Sequence, residues 1–345
     1  MAALTQPAGV SVRAAAPGEG AAIAALWREL WDAHEAWGGY PGSRDMRVYA
    51  QLAHRLDDDA RVRAGHPILG RHIHLVADWN GTPCGQVEGW FERHGVETDT
   101  PFTCEVRSLI VTASARRLSA GRALLAGLAD SARLLARETA CVMAAEVLEP
   151  NPAHGFYARV GYSPVSWNAR LDAGLAPPSP GRCPARIACP HDAFAIARLE
   201  ATLAERRRNA GDLRFDAPRP IDASVVGAIA SHFAFESPAS LREPSTLVVL
   251  DETGIVRGAA SFTAHALEPP FAPMHRALIG RFAIDTACAA APLVRPLIAL
   301  GCKLARSRGV SYIELTDLPA PGSELHDAAL AMGARAWSRV VTKIA

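Results

Sequence analysis

The order of elements in residues 10–171 recurs in residues 185–333, and this internal repeat narrows the available folds more than any other feature of the chain. The first copy reads as a strand at 10–14, then a helix with Ile23, Leu26, Trp27, Leu30 and Trp31 at helical spacing, then a second helix near 44–58. A hairpin follows at 73–90, turning at Asn80–Gly81, a dipeptide that suits the left-handed positions of a tight turn. Next come a strand at 105–111, a long helix to about residue 137, a strand at 141–147, a short helix ending at Gly161, and a strand at 165–171. The second copy has a strand at 185–188, a helix at 193–208 and a hairpin at 246–263 that turns at 251–254. A strand at 281–285, a helix at 294–308, a strand at 312–315 and a short helix ending at Gly333 complete it. A repeat of this length means two copies of one domain. The Pro-, Gly- and Ser-rich stretch after residue 173 marks the junction, giving an N-terminal domain at 1–175, a linker at 176–184 and a C-terminal domain at 185–345. Each is read as an α/β (α+β) domain, a mixed and mostly antiparallel sheet flanked by helices.

Composition bounds the function. With 49% hydrophobic residues and a formal net charge of +1, the chain can bury a core and lacks the basic footprint of a general nucleic-acid binder. The dense basic run Arg206, Arg207 and Arg208 reads as a solvated helix face. Seven scattered cysteines show neither zinc-ligand spacing nor a Cys-x-x-Cys pair and read as reduced, and His34, His72 and His74 form no metal pattern. Residues 1–12 lack the features of a signal peptide and no apolar run is long enough to span a bilayer, so the expectation is a cytoplasmic protein with no membrane partner. Gly18-x-Gly20 lacks the third glycine of a dinucleotide fingerprint, Ile23 standing in its place, and reads as a plain turn.

The stretch 105–125 carries the chemistry. An apolar strand (Leu109, Ile110, Val111) feeds a helix through Arg116, Arg117, Leu118, Ser119, Ala120, Gly121, Arg122 and Ala123. The first turn of a helix presents unpaired N–H groups and the positive end of the macrodipole, where arginines are unfavourable unless an anion sits there. A bound phosphate explains their presence.

Two motifs in this order resemble the GNAT superfamily of acyl-CoA-dependent N-acetyltransferases. One is Arg116–Arg117–Leu118–Ser119–Ala120–Gly121, similar to the family's Arg/Gln-x-x-Gly-x-Gly/Ala pyrophosphate loop, with Ser119 in place of the first glycine. The other is Asn151 followed by Phe156–Tyr157 and Gly161–Tyr162, similar to the family's Asn…Phe-Tyr-x-x-x-Gly-Phe. The resemblance implies a tandem protein with acetyl-CoA as co-substrate. It implies that Arg116, Arg117, Leu118, Ser119, Ala120, Gly121, Arg122 and Ala123 hold the pyrophosphate, and that the backbone of Leu109, Ile110 and Val111 pairs with the pantetheine. The second copy has Thr286 to Val294 at the loop, without glycine or loop arginines, Arg295 in the place of Arg122, and Ala329 in the place of Tyr157. It reads as a degenerate copy that packs against the first.

The implied reaction moves an acetyl group to an amine of a small molecule or peptide. An alkylammonium with a pKa near 10.4 must lose a proton before it attacks, and the leaving thiolate benefits from an acid. The family pattern makes Glu105 the candidate base and Tyr157 the candidate acid. Asn151 is a candidate cofactor contact, although its place before Pro152 also suits a helix cap, and both stand open. Trp37 and Tyr40, beside Gly38 and Gly39, are candidate acceptor-binding residues. The alternative is a non-catalytic acyl-CoA-binding regulatory or scaffold protein. A homodimer is left open, as are the identity of the amine and the acyl chain. No Gly-x-Ser-x-Gly elbow supports a hydrolase.

Overall fold

In the computed structural model, residues 9–93, 102–137, 139–172, 183–215, 220–235, 245–267 and 269–345 are described. Of the linker read at 176–184, residues 176–182 lie outside them. The chain divides into two compact units, one comprising Met1–Ser163, Glu268–Ala272 and Val341–Ala345, the other Pro164–Leu267 and Pro273–Val340.

The first unit contains β1 (Val10–Ala14), α1 (Gly20–Ala36), α2 (Met46–Arg63), β2 (Ile68–Leu69), β3 (His72–Trp79), β4 (Thr82–Arg93), β5 (Phe102–Val111), α3 (Ala120–Ala136), β6 (Cys141–Leu148) and α4 (His154–Arg159). Its strands lie in the order β1-β3-β4-β5-β6, with β2 beside β3. Every pair is antiparallel except β5 with β6. Asn80 and Gly81 both take positive φ, as the β3–β4 turn requires. Alternation along each strand sorts the side chains onto two faces. Ile73, Leu75, Val87, Cys104 and Met143 pack against Leu124, Leu128 and Ala132 of α3. On the other face Val76 and Ile110 pack under Ile23, Trp27, Leu30 and Trp31 of α1 and Leu52 and Leu56 of α2. The segment ending at Ala272 joins this unit through an antiparallel bridge between Gly42 and Phe271, with Ser43 N donating to Pro270 O at 2.7 Å. The segment 341–345 joins it too, Ala345 N donating to Cys141 O at 2.9 Å.

The second unit repeats the plan. It holds β7 (Ser163–Asp172, from Pro164 onward), β8 (Ala185–Ile187), α5 (Ala193–Asn209), α6 (Ala223–Phe235), β9 (Ser245–Leu250), β10 (Val256–Ala266), β11 (His275–Ile284), α7 (Ala290–Ser307), β12 (Tyr312–Leu318), α8 (Glu324–Leu330) and β13 (Arg335–Ile344, up to Val340). Strands β7-β12-β11-β10-β9-β8 are neighbours in that order, and only β11 and β12 run parallel. Leu293, Val294, Leu297 and Ile298 of α7 cover one face and Ile196 and Leu199 of α5 the other. β7, which the sequence reading made the last strand of the first copy, pairs here with β12, Tyr312 opposite Asp172. Both sheets are mixed and mostly antiparallel, as the sequence pattern implies.

Among the described residues no helix is long and apolar enough to cross a membrane, and no group of three or more His, Cys, Asp and Glu could hold a metal ion.

Candidate coenzyme and acyl-transfer site

The site begins where the parallel pair of β5 and β6 stops. β5 and β6 pair from Phe102 opposite Cys141 to Val106 opposite Ala145 and no further. Between β4 and β5 the register shifts: Gln86 faces Ile110 but Glu88 faces Arg107, so Ser108 and Leu109 together oppose Val87. This is a β-bulge, and Ser108 takes a left-handed φ of 53° in it. Beyond the bulge, the backbone edge of Leu109, Ile110 and Val111 that would face β6 has no strand partner among the described residues. A strand edge of this kind is open to an extended, amide-bearing ligand.

Val111 leads through Thr112 into a 3-10 turn, Ala113–Leu118, and then through Ser119 at φ 63° into α3. The first turn of α3 has no acidic residue and no side-chain cap. Ala123 N bonds Ser119 O at 3.0 Å, so the N–H groups of Ala120, Gly121 and Arg122 are the unpaired donors of the helix start. Arg116, Arg117 and Arg122 are exposed around it. Arg116 is the most constrained, its Nε donating to Val111 O at 3.1 Å and its guanidinium 3.6 Å from Glu29. Three arginines and three free amides fit a pyrophosphate. Gly121 has a packing reason of its own: a Cβ there would stand 3.2 Å from Cζ of Phe156 and 3.6 Å from Val111. The same contact ties α4, and so Tyr157, to the start of α3.

Tyr157 is buried against the rings of Phe156 at 5.5 Å and Tyr162 at 5.2 Å. Burial raises its pKa well above the ordinary phenol value, so the hydroxyl stays protonated. Asn151 serves the local turn, its Oδ1 accepting from Ala153 N at 2.9 Å ahead of α4. Glu105 lies on the opposite face of β5 from the cluster that contains Tyr157, half-exposed and ion-paired with Arg107, whose Nε donates to it at 2.8 Å. The candidate acid and base are therefore not in contact. Trp37 ends α1 near His34 at 5.7 Å, and Tyr40 is buried edge-on to Phe271 at 5.8 Å. Phe271 also meets Trp31 at 4.5 Å, so the α1–α2 connection is an aromatic cluster closed by a residue far away in sequence.

Sequence reading missed a buried polar chain on the Glu105 face of the sheet. Arg63 donates to Nδ1 of His72 at 2.7 Å, and His72 Nε2 lies 3.0 Å from Oε1 of Glu88. Because a guanidinium only donates, Nδ1 is the acceptor and Nε2 carries the proton toward Glu88. The Ser108 hydroxyl, at the bulge, also hydrogen-bonds Glu88. Burial pushes the Glu88 carboxyl upward, but the hydrogen bonds from His72 and Ser108 and the neighbouring imidazoles outweigh it and leave the group below the usual carboxylate range. Beside it His74 Nε2 bonds Oε1 of Gln86 at 3.0 Å. The signal was there: His72-x-His74 and Gln86-x-Glu88 alternate with apolar residues on both sides of the Asn80–Gly81 turn, which sets His74 opposite Glu88.

The second unit keeps the scaffold and fills the site. β10 and β11 shift register between Ala259 and Ser261, and Arg281 takes the left-handed conformation at φ 50°. At the start of α7, Ala291 N donates to Oε1 of Glu324, the first residue of α8, at 3.2 Å. A side-chain carboxylate thus occupies the helix N-terminus that would receive a phosphate. Near the end of β12, Arg214 pairs with Asp317 at 2.9 Å and with Asp212 at 2.8 Å, and Ser166 donates to Asp317 at 3.4 Å.

Residues 24–162 match the acetyltransferase (GNAT) family. Solved structures of the same fold include a GCN5-related N-acetyltransferase from Sphaerobacter thermophilus, at 17% identity over 99% of this chain and 97% of that one, with a TM-score of 0.57. Another is the GCN5-related glucosamine N-acetyltransferase region of a fungal multi-domain GH3 beta-N-acetylglucosaminidase, at 13% identity over 98% of this chain and 38% of that one, with a TM-score of 0.54. A tandem GNAT protein from the clavulanic acid biosynthesis pathway matches at 17% identity over 97% of this chain and 98% of that one, with a TM-score of 0.49. No curated protein sequence matches the chain. The likeness to the GNAT family thus lies in the first unit, at residues 24–162. The chain as a whole shares the fold of these structures.

Proposed function

We propose that the first unit transfers an acetyl group from acetyl-CoA to an amine of a small molecule or peptide, and that the second unit binds no coenzyme. The observation that carries this is the contrast between two helix starts. At α3 the amides are uncapped and ringed by exposed Arg116, Arg117 and Arg122, whereas at α7 Glu324 already supplies the anion.

In this reading the amides of Ala120, Gly121 and Arg122 and the three arginines take the pyrophosphate, with Leu118, Ser119 and Ala123 shaping the loop. Leu109, Ile110 and Val111 pair through their free backbone edge with the pantetheine, and an N–H there polarises the thioester carbonyl. One such donor is worth about 3 kcal/mol in related chemistry. Glu105 takes the ammonium proton, directly or through a water, after Arg107 yields its ion pair. The amine attacks the thioester carbon, the C–S bond breaks as Tyr157 gives its proton to the departing sulfur, and the second proton of the attacking nitrogen leaves as the amide forms and returns to the tyrosinate. Trp37 and Tyr40 wall the acceptor side, and Asn151 sets the approach of α4.

Calorimetry with acetyl-CoA tests the first half of this proposal and should give one site per chain. Thiol release across a panel of amines tests the second half. Absence of binding, or two equivalent sites, sinks the assignment. Binding without turnover on any amine leaves the non-catalytic acyl-CoA-binding scaffold.

A further inference from the structure

The chain Arg63–His72–Glu88–Ser108 has no part in the steps above, yet it converges on the bulge from which Leu109, Ile110 and Val111 extend. Glu88 is 5% exposed, and its two hydrogen-bonding neighbours come from different strands, His72 from β3 and Ser108 from β5. Trp90 stacks on the His72 ring at 4.5 Å and 17°, and Arg107 lies over the same indole at 5.7 Å from the ring centroid. Behind His72, Arg63 is buried and is held by Pro67 O at 2.8 Å and His72 O at 3.2 Å. Arg63 thus fixes the His72 ring, His72 and Ser108 donate to the carboxylate, and the carboxylate meets the one residue of β5 with a left-handed backbone.

A buried acid of this kind is not needed to make the bulge. The second unit forms the same register shift with Ser261 in the place of Glu88 and Thr246 in the place of His74. There the left-handed residue, Arg281, is held from another side, 3.6 Å from Glu200 and over the Phe215 ring at 5.2 Å. The clamp thus occurs in the unit whose helix start is open to an anion and is absent from the unit whose helix start is capped. Serine disfavours the left-handed region, and a hydrogen bond from its hydroxyl to a fixed acceptor is a direct way to hold it there.

We propose that Glu88 is a positioning residue for acyl transfer: it fixes Ser108 in the bulge and so aims the amides of Leu109 to Val111 at the acyl thioester. This deepens the acyltransferase reading of the first unit and rests on it. The role runs through the backbone, so it is separable from a direct contact with substrate. Glycine adopts the left-handed conformation without a hydroxyl tether, and with glycine at position 108 the carboxylate should lose its importance.

The experiment is a double-mutant cycle on the full chain with Glu88→Gln, Ser108→Gly and the pair. It reads kcat and KM in thiol release, and the ratio of acetyl-CoA to coenzyme A affinity by calorimetry. Glu88→Gln should lower kcat about tenfold or more and reduce the acetyl-CoA preference, while affinity for coenzyme A, set by the α3 start, changes less than about threefold. Ser108→Gly should stay within about threefold of wild type, and adding it to Glu88→Gln should restore most of the loss. An unchanged kcat and affinity ratio in a folded Glu88→Gln protein overturns the proposal. So does a loss that Ser108→Gly leaves undiminished, which would make Glu88 a substrate contact. If Glu88→Gln fails to fold, the Ser108→Gly background supplies the same comparison, and a double mutant that folds but stays inactive also overturns it. Wild-type protein that binds no acetyl-CoA overturns the acyltransferase reading itself, a result distinct from all of these.

Discussion

Ser119 offers a quantitative check on the coenzyme loop, because it holds a conformation that serine does not choose. Its φ of 63° and ψ of 12° are left-handed, and its side chain makes no capping hydrogen bond to α3. The left-handed region costs an L-residue about 1–2 kcal/mol, and the greater freedom of an unfolded glycine returns about 0.5–1 kcal/mol of that. Nothing else is lost on removing the hydroxymethyl group, since it caps nothing. Ser119→Gly should therefore stabilise the first unit by about 0.5–1 kcal/mol, which for a domain of this size raises its melting temperature by about 1–4 °C. Ser119→Val, whose branched Cβ tolerates this region least, should move the transition down by at least as much. Differential scanning calorimetry of the full chain without ligand reads both, in the transition that acetyl-CoA shifts upward. Because the loop already has the glycine-like shape, coenzyme affinity should change less than about threefold in Ser119→Gly. A glycine variant that melts lower than wild type would refute the reasoning, since it would mean the serine is held by something other than strain tolerance.

Tyr157→Phe should lower kcat about 10²-fold with little effect on acetyl-CoA affinity, measured by thiol release and calorimetry, because the ring and its packing remain and the proton donor goes. Glu105→Gln should lower kcat by a similar factor, and an excess of a free-base amine at high pH should restore part of the rate. His34, with its pKa pushed down to about 4 by burial, stays neutral in the folded chain while the unfolded imidazole titrates near the ordinary 6.5. The unfolded state therefore binds the extra proton first, and stability falls as pH drops from about 6.5 toward 4, with no further loss from this group below that. His34→Gln should flatten that part of a denaturation-versus-pH curve. Glu324→Ala should destabilise the second unit by about 1 kcal/mol through loss of a helix cap, visible in chemical denaturation, and should leave coenzyme stoichiometry at one.

Local signals carried most of the fold and pointed to the candidate site. Asn80–Gly81 located the first hairpin, the helical spacing from Ile23 to Trp31 located α1, and the arginine-and-glycine turn before Leu124 located the start of α3. Each of these is legible because neighbours in sequence decide it. The features that escaped depend on register between strands or on distant partners. The bulge at Ser108 follows from how β5 meets β4, and no residue type in 105–111 announces it. Glu324 at the start of α7 comes from 33 positions away. α6 was missed because its apolar residues, Val225, Val226, Ile229 and Phe233, are diluted by alanines and leave no clean stripe. β13 was missed because Trp337, Val340 and Val341 form only a short alternation without turn signals on both sides. Gly121 was read as a ligand residue and also packs against Phe156, a contact that only the placement of α4 reveals.

The hydrogen bond from Ala345 to Cys141 sets the order in which the molecule can be made. The first unit includes Val341–Ala345, so its sheet lacks a component until the ribosome has translated all of the second unit. A nascent chain that has reached residue 175 holds the anion loop and Tyr157 but leaves β6 with an unpaired edge, an aggregation hazard. The first unit should therefore mature last although it is synthesised first, and a chaperone that shields strand edges should matter more for this protein than for one whose two domains close in sequence order.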